Sequence, residues 1–508
     1  MSKIEKSTGI NDSERYLASL ANKTFLNLWS HPNVYRDEIV NGVRAGKEMA
    51  DLLVVCGDNV IIFSIKSIKW NSIVDTSKAW ERWYRKAIIN SQKQLQGAEN
   101  WVKQFPNRIF LDAKCIQQFP LNIPRAENQK IHLVLIALGA HEACSSYFNG
   151  DSGSFIMCSE DNSPNQFMIG DINSAGTYIH VMNDVTLNII MKELDTIKDF
   201  VNYLDKKVDF VRSGHFGTAN GEEDLLAYYL THLDGENRHC FLPPSGRLWK
   251  KDERLFIGDS MYAKMVNNQR YIIKKRADQV SYLWDGLIEA FTSNMLAGTI
   301  IFPNGVKFDI KEQEEGVRYM AYEDRVQRRL LSEGIRQVIE NSDKQDKNFR
   351  AFIPPSSQKD AGSPGYAFMT LAHPKIKLNG GYQQYRQIRI NILKTYCFEM
   401  LRRFPQMKMI IGIATEPKSI FRKGSSEDMV MVNQPVWTSE LLADLKQDVE
   451  TFDVAREGRY KNYQVYTDEY PDKSQDILTV DEIKPIEHMN RQQRRAEASR
   501  VRKGKRSY

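Results

Sequence analysis

The stretch Asp51-Leu-Leu-Val-Val-Cys-Gly-Asp-Asn-Val-Ile-Ile-Phe-Ser-Ile-Lys66 decides how the first part of this 508-residue chain is read. Two apolar runs, 51–55 and 60–66, flank Cys56-Gly57-Asp58-Asn59, whose turn chemistry predicts a β-hairpin. A loop of either two or four residues gives the same register, in which Asp51 faces Ser64. Side chains alternate with period two, so Ser64 and Lys66 share the face of Asp51. One carboxylate and one ammonium therefore meet at the open end of an otherwise apolar hairpin. Burying charge costs several kcal/mol unless it is paired or binds a metal. A plain salt bridge at a sheet end is the simplest account of the pair.

Working outward, residues 11–30 read as one amphipathic helix, with Leu17, Ala21, Phe25 and Leu28 on its inner side and Asn11 as N-cap. The polar stretch 41–46 reads as a connection. A long helix is predicted over 75–102, its core face carrying Trp80, Trp83, Ala87, Ile88, Leu95 and Ala98. Strands are predicted at 108–111 and 131–138, the second so apolar that both faces should be covered. A further hairpin at 166–181 and a helix at 188–204 complete the unit. The glycine-containing run 213–221 reads as a domain boundary. Helices at 222–233 and 277–296 form a connecting region. Beyond it lie a helix at 321–341, strands at 350–353 and 367–371, a helix at 385–404 and a strand at 407–414. This second unit has an element order like the first but lacks an acid-then-lysine hairpin.

The fold class expected is α/β: a central mixed sheet flanked by helices, a helical connector and a second α/β domain. The units are 1–212, 213–300, 301–475 and a basic tail, 476–508. Composition is that of a soluble protein, 42% hydrophobic and 26% charged, and no run approaches the ~20 apolar residues of a bilayer span. The polar start lacks a secretory signal's apolar stretch, so the cytoplasm is the expected location. Six scattered cysteines, with no C-x-x-C pair, speak against a zinc ribbon or a disulfide scaffold. His31, His132 and His141 show no ligand spacing. Phosphate-loop, H-E-x-x-H and G-x-S-x-G motifs do not occur. The net charge of +6 permits nucleic-acid binding without requiring it. The tail is the natural phosphate-binding candidate, through Arg491, Arg494, Arg495, Arg500, Arg502 and Lys503, although a solubility role fits it as well.

The order of a glutamate-bearing helix (Glu14), a hairpin with Asp51 and then Ser64-Ile65-Lys66, a long helix and further strands resembles the PD-(D/E)XK restriction-endonuclease-like superfamily. The match covers roughly the first 110 to 200 residues. That resemblance implies Mg²⁺-dependent hydrolysis of a phosphodiester, in DNA before RNA, with Mn²⁺ able to substitute. It implies a bacterial setting of restriction or phage defence, and a homodimer or a partner protein. Asp51 would be the central metal ligand, Glu14 a second, and Lys66 the group that activates water and neutralises the scissile phosphate. Gln94 and Ser64 would contact phosphate. The motif's second acid should stand where Ser64 stands. Some branches move that acid onto the following helix, where Glu81 fits, whereas others carry an acid where this chain has Ile65. Glu48 beside the hairpin is a further candidate ligand. Each acid also has an ordinary account: Glu14 as part of a capping box, Glu81 as a first-turn acid favoured by the helix dipole, Glu48 as a solvated side chain. The alternative function is a catalytically degenerate nuclease fold that binds nucleic acid or acts as a scaffold.

Overall fold

The computed structural model describes residues 4–40, 43–150, 152–160, 165–243, 246, 248–298, 309–343, 346–353, 363–372, 379–417, 426–455 and 468–471. The basic tail, and with it Arg491, Arg494, Arg495, Arg500, Arg502 and Lys503, lies outside the described residues.

The chain opens with a helix at Asp12–Thr24 and a single turn at Leu26–Trp29 rather than one helix to residue 30. The break falls at Leu26, whose φ of +60° no helix interior accepts. Strand β1 (Ser30–Val40) follows and pairs antiparallel with β2 (Val43–Cys56). Residues 43–46 of the expected connection are thus strand, and β1 is an element the hydrophobic pattern did not reveal. Strand β3 (Asn59–Ser67) closes the predicted hairpin in the predicted register, with Leu52 opposite Phe63 and Val55 opposite Val60. Gly57, at φ +59°, supplies the left-handed conformation the tight turn needs.

The helix expected over 75–102 is Thr76–Tyr84, a π-helical turn Arg85–Ile89 and Asn90–Gln104. It carries the chain across the sheet, past the two-residue strand β4 (Ile109–Phe110), which pairs with β1. Strand β5 (Lys130–Leu138) then returns parallel to β3. Strands β6 (Ile156–Glu160) and β7 (Met168–Asp171) pair parallel with each other, and β8 (Ile179–Met182) runs parallel to β5. The main sheet has the order β4-β1-β2-β3-β5-β8. The hairpin expected at 166–181 does not exist, because β7 and β8 belong to different sheets. A turn closed by Asn173 Nδ2 on the Thr177 carbonyl, and held by Arg212 on Asp171 and on the Asn173 and Gly176 carbonyls, separates them.

Helices at Thr186–Glu193 and Ile197–Arg212 replace the single one expected, the second capped by Thr196. The run 213–221 holds strand β9 (Phe216–Ala219), which joins β6, β7 and β10 (Leu255–Ile257) in a four-stranded sheet. Phe216 and Ala219 are fully buried, so the expected boundary is part of the core. Helices at Glu222–Thr231, Tyr282–Ala297, Ile310–Ala321 and Arg325–Glu340 pack into the same apolar cluster as the main sheet.

The last sheet has the order β11 (Lys347–Phe352), β12 (Gly365–Leu371), β13 (Met409–Thr415), β14 (Asp428–Asn433). An antiparallel pair, a crossover helix at Gly381–Arg403 and a parallel return repeat the element order of β2, β3 and β5. Its two faces separate cleanly. Phe368 and Ile413 join the large cluster, whereas Met369 and Ala414 pack with Leu393 and Cys397 of the crossover helix. No helix among the described residues is long and apolar enough to cross a membrane.

Candidate active site at the end of the first hairpin

The β2–β3 ladder ends at Leu52–Phe63, and Asp51 stands one residue beyond. There the Asp51 carboxylate takes over the role of a missing strand partner. Its Oδ2 accepts the Ile65 backbone N–H at 2.6 Å. Asp51 is 8% exposed, and among the described residues its Oδ1 has no hydrogen-bond partner. Burial pushes its pKa up to about 6, against the pull of the Ile65 N–H; the charges of Glu48 and Glu14 add to the rise, and that of Lys66 opposes it. The residues expected to meet are therefore electrostatically joined, with Glu48 among them.

Glu48 reaches this face through an irregularity. Val34 pairs with Ala50, but the next residue, Tyr35, pairs with Glu48, leaving Met49 as an extra residue in β2. Ordinary alternation would turn Glu48 away from Asp51, three positions on. One bulged residue restores it to the same face, and a bulge beside a functional site commonly re-aims a side chain in this way. The same carboxylates raise the Tyr35 phenol's pKa, after burial, the largest cause.

Asn33 ties the acids together. It is fully buried and takes φ +50°, a left-handed conformation that asparagine tolerates better than most residues. Its Nδ2 donates at 2.8 Å to both Glu14 Oε2 and Glu48 Oε1, and its Oδ1 accepts from Ser7 Oγ at 2.6 Å. Glu14 is also the helix-start residue the capping pattern predicts. Asn11 Oδ1 accepts its N–H at 3.0 Å, while its carboxylate accepts the Ile10 N–H and the Asn11 amide. Capping and membership of the acidic site coexist in one side chain. Asparagine between a proline and a valine carries no pattern signal, so Asn33 was missed; its link to Glu48 needs the bulge to be known.

Lys66 is exposed at the end of β3, and Ser64 Oγ lies 3.4 Å from Gln94 Oε1 on the crossover helix. Glu81 is exposed on a helix whose buried side is Ala79, Trp80, Trp83 and Tyr84, and no hydrogen bond joins it to Asp51, Glu14 or Glu48. The acid that lies with Asp51 and Glu14 is Glu48, on the strand beside Ser64.

Among the described residues no three His, Cys, Asp or Glu side chains converge closely enough to form a metal cage. Mg²⁺ does not require one: it is usually held by one or two carboxylates, with water and substrate phosphate completing its shell. The all-oxygen set of Asp51, Glu48 and Glu14 fits that chemistry, and the unpartnered Asp51 Oδ1 offers a donor. Comparison of the chain with known protein families, with curated proteins and with solved structures found no match.

Proposed function

We propose that the chain hydrolyses phosphodiester bonds in DNA, as a metal-dependent nuclease whose N-terminal unit has a restriction-endonuclease-like core. One observation carries this reading: a buried Asp51, its proton affinity raised by that burial and then by Glu48 and Glu14, shares a hairpin end with Lys66. Asp51, with Glu48 or Glu14 reaching the ion directly or through water, would hold Mg²⁺, which when bound polarises a phosphoryl oxygen and acidifies a water molecule. Lys66, solvent-facing and without an ion pair among the described residues, can neutralise the charge that builds on the phosphorus oxygens. Ser64 and Gln94 offer polar contacts to the phosphate from the floor of the site. Asn33 keeps Glu14 and Glu48 at a set spacing.

The test is nicking of supercoiled plasmid with Mg²⁺ or Mn²⁺. Asp51→Ala and Lys66→Ala should each lower the rate by roughly two orders of magnitude. Cleavage untouched by both substitutions refutes the site. Ser64, standing where an acid belongs, favours a second reading: a degenerate nuclease fold that binds nucleic acid or organises a complex. A folded wild-type chain that binds plasmid and never nicks it supports that reading.

A further inference from the structure

Between Lys66 and Lys93 seven lysines and arginines stand against two acids, Asp75 and Glu81, a net +5 within a 508-residue chain of net +6. Five of the seven lie on the crossover helix: Lys78 and Arg82 in its first segment, Arg85 and Lys86 in the π-helical turn, Lys93 beyond it. All five are exposed, as are Lys66 and Lys69 on the strand end and loop that lead into the helix. The opposite side, with Trp80, Trp83, Ala87 and Ile88, is buried in the core. The charge is thus all outward.

Among the described residues none of these seven forms an ion pair or a side-chain hydrogen bond, and Asp75 is engaged as the helix N-cap through the N–H groups of Ser77 and Lys78. Lys78 to Lys93 spans about 22 Å at the helical rise of 1.5 Å per residue, the length of about six base pairs at 3.4 Å each. The stripe also leads somewhere. Lys66 belongs to the candidate site, and Gln94, one residue past Lys93, meets Ser64 there.

We infer that this stripe is the docking surface for the phosphate backbone of duplex DNA, laid along the crossover helix so that the strand reaches the Asp51 site. The inference rests on the phosphodiesterase reading for the fate of the bound strand, but not for the binding itself. An anionic membrane is the wrong partner, because a helix that lies on a bilayer needs its apolar face free to insert. Here that face is spent on the core.

The test measures affinity of the full chain for a duplex of about 24 base pairs by fluorescence anisotropy, in EDTA and across a salt series. Each phosphate contact contributes about 0.9 to the slope of log K against log salt. The variant Lys78→Gln/Arg82→Gln/Arg85→Gln/Lys86→Gln should lower that slope by about three to four, and each single substitution by about one, with unchanged thermal midpoints. The variant Arg491→Gln/Arg494→Gln/Arg495→Gln/Arg500→Gln/Arg502→Gln/Lys503→Gln in the tail serves as the contrast. Three results overturn the inference: a slope unmoved by the helix variants, a slope lost only in the tail variant, or tighter binding to duplex RNA or anionic vesicles than to DNA. A chain that binds through the stripe yet never cleaves sinks the phosphodiesterase reading alone. A chain that cleaves with its slope unmoved sinks the stripe alone.

Discussion

Replacing Asp51 by Asn should stabilise the metal-free protein at pH 8. The carboxyl titrates near 6 in the folded chain against an ordinary 3.8, chiefly because burial penalises its ionised form. At 1.36 kcal/mol per pH unit, that difference makes the ionised side chain about 3 kcal/mol more costly folded than unfolded. An acid raised on folding takes up a proton as the chain folds between the two values. Stability therefore rises as pH falls from about 6 toward 4, and the penalty stands in full above 6. Asparagine is never ionised, and its side-chain oxygen can still accept the Ile65 N–H. Urea titrations followed by tryptophan fluorescence suit the measurement, since Trp29, Trp80 and Trp83 are all buried. In EDTA at pH 8 the Asp51→Asn chain should exceed wild type by up to about 3 kcal/mol, the gap closing as pH approaches 4. Taking the difference between the two chains cancels the titrating groups that do not feel Asp51, leaving Asp51 and its coupling to Glu48, Glu14 and Lys66. Mg²⁺ at a hundred times its dissociation constant should then restore about 2.7 kcal/mol to wild type and nothing to the variant. A variant no more stable than wild type at pH 8, or one stabilised equally by Mg²⁺, refutes the reasoning.

Two further outcomes are expected. Asn33→Ala removes donors to two carboxylates and leaves a left-handed residue strained, so it should cost about 2–4 kcal/mol in urea, with Asn33→Gly costing less because glycine accepts that backbone; equal losses would remove the conformational part of the argument. Lys207, paired with Glu222 where both side chains are at most 3% exposed, should on change to Met cost about 3–5 kcal/mol, and Lys207→Met/Glu222→Leu should recover part of the loss in the same assay.

What could be read in advance was governed by distance along the chain. The β2–β3 register follows from turn length and alternation within 16 residues, and the structure reproduces it. The crossover helix was legible from its apolar period, apart from the π-helical turn, which leaves the composition unchanged. Strand β1 was hidden because Pro32 and the charged Arg36, Asp37 and Glu38 look like the end of a helix and a loop. In the fold Pro32 sits opposite Leu52, and Asp37 is buried against Arg108. Strands β7 and β8 were joined into a hairpin because two short apolar runs around a turn say nothing about which sheet each run enters. Thr196, which caps a new helix through the Asp199 N–H, was a local signal within the expected helix at 188–204. Asp51, Lys66, Glu14 and, as a neighbour of the hairpin, Glu48 are candidates the sequence offers; Asn33, and the bulge that turns Glu48 toward Asp51, depend on long-range pairing between β1 and β2.

Met49 ties the site to the way β1 and β2 pair. It touches no substrate in any reading offered above, and another apolar residue of similar size could fill its buried position. Removing it without replacement would put Glu48 two positions from Asp51, so ordinary alternation would hold both acids on one face and the bulge would no longer be needed. A relative with its two acids two positions apart on a regular ladder would therefore present them on one face, as this chain does with three positions and a bulge, so relatives must be compared by strand pairing as well as by spacing.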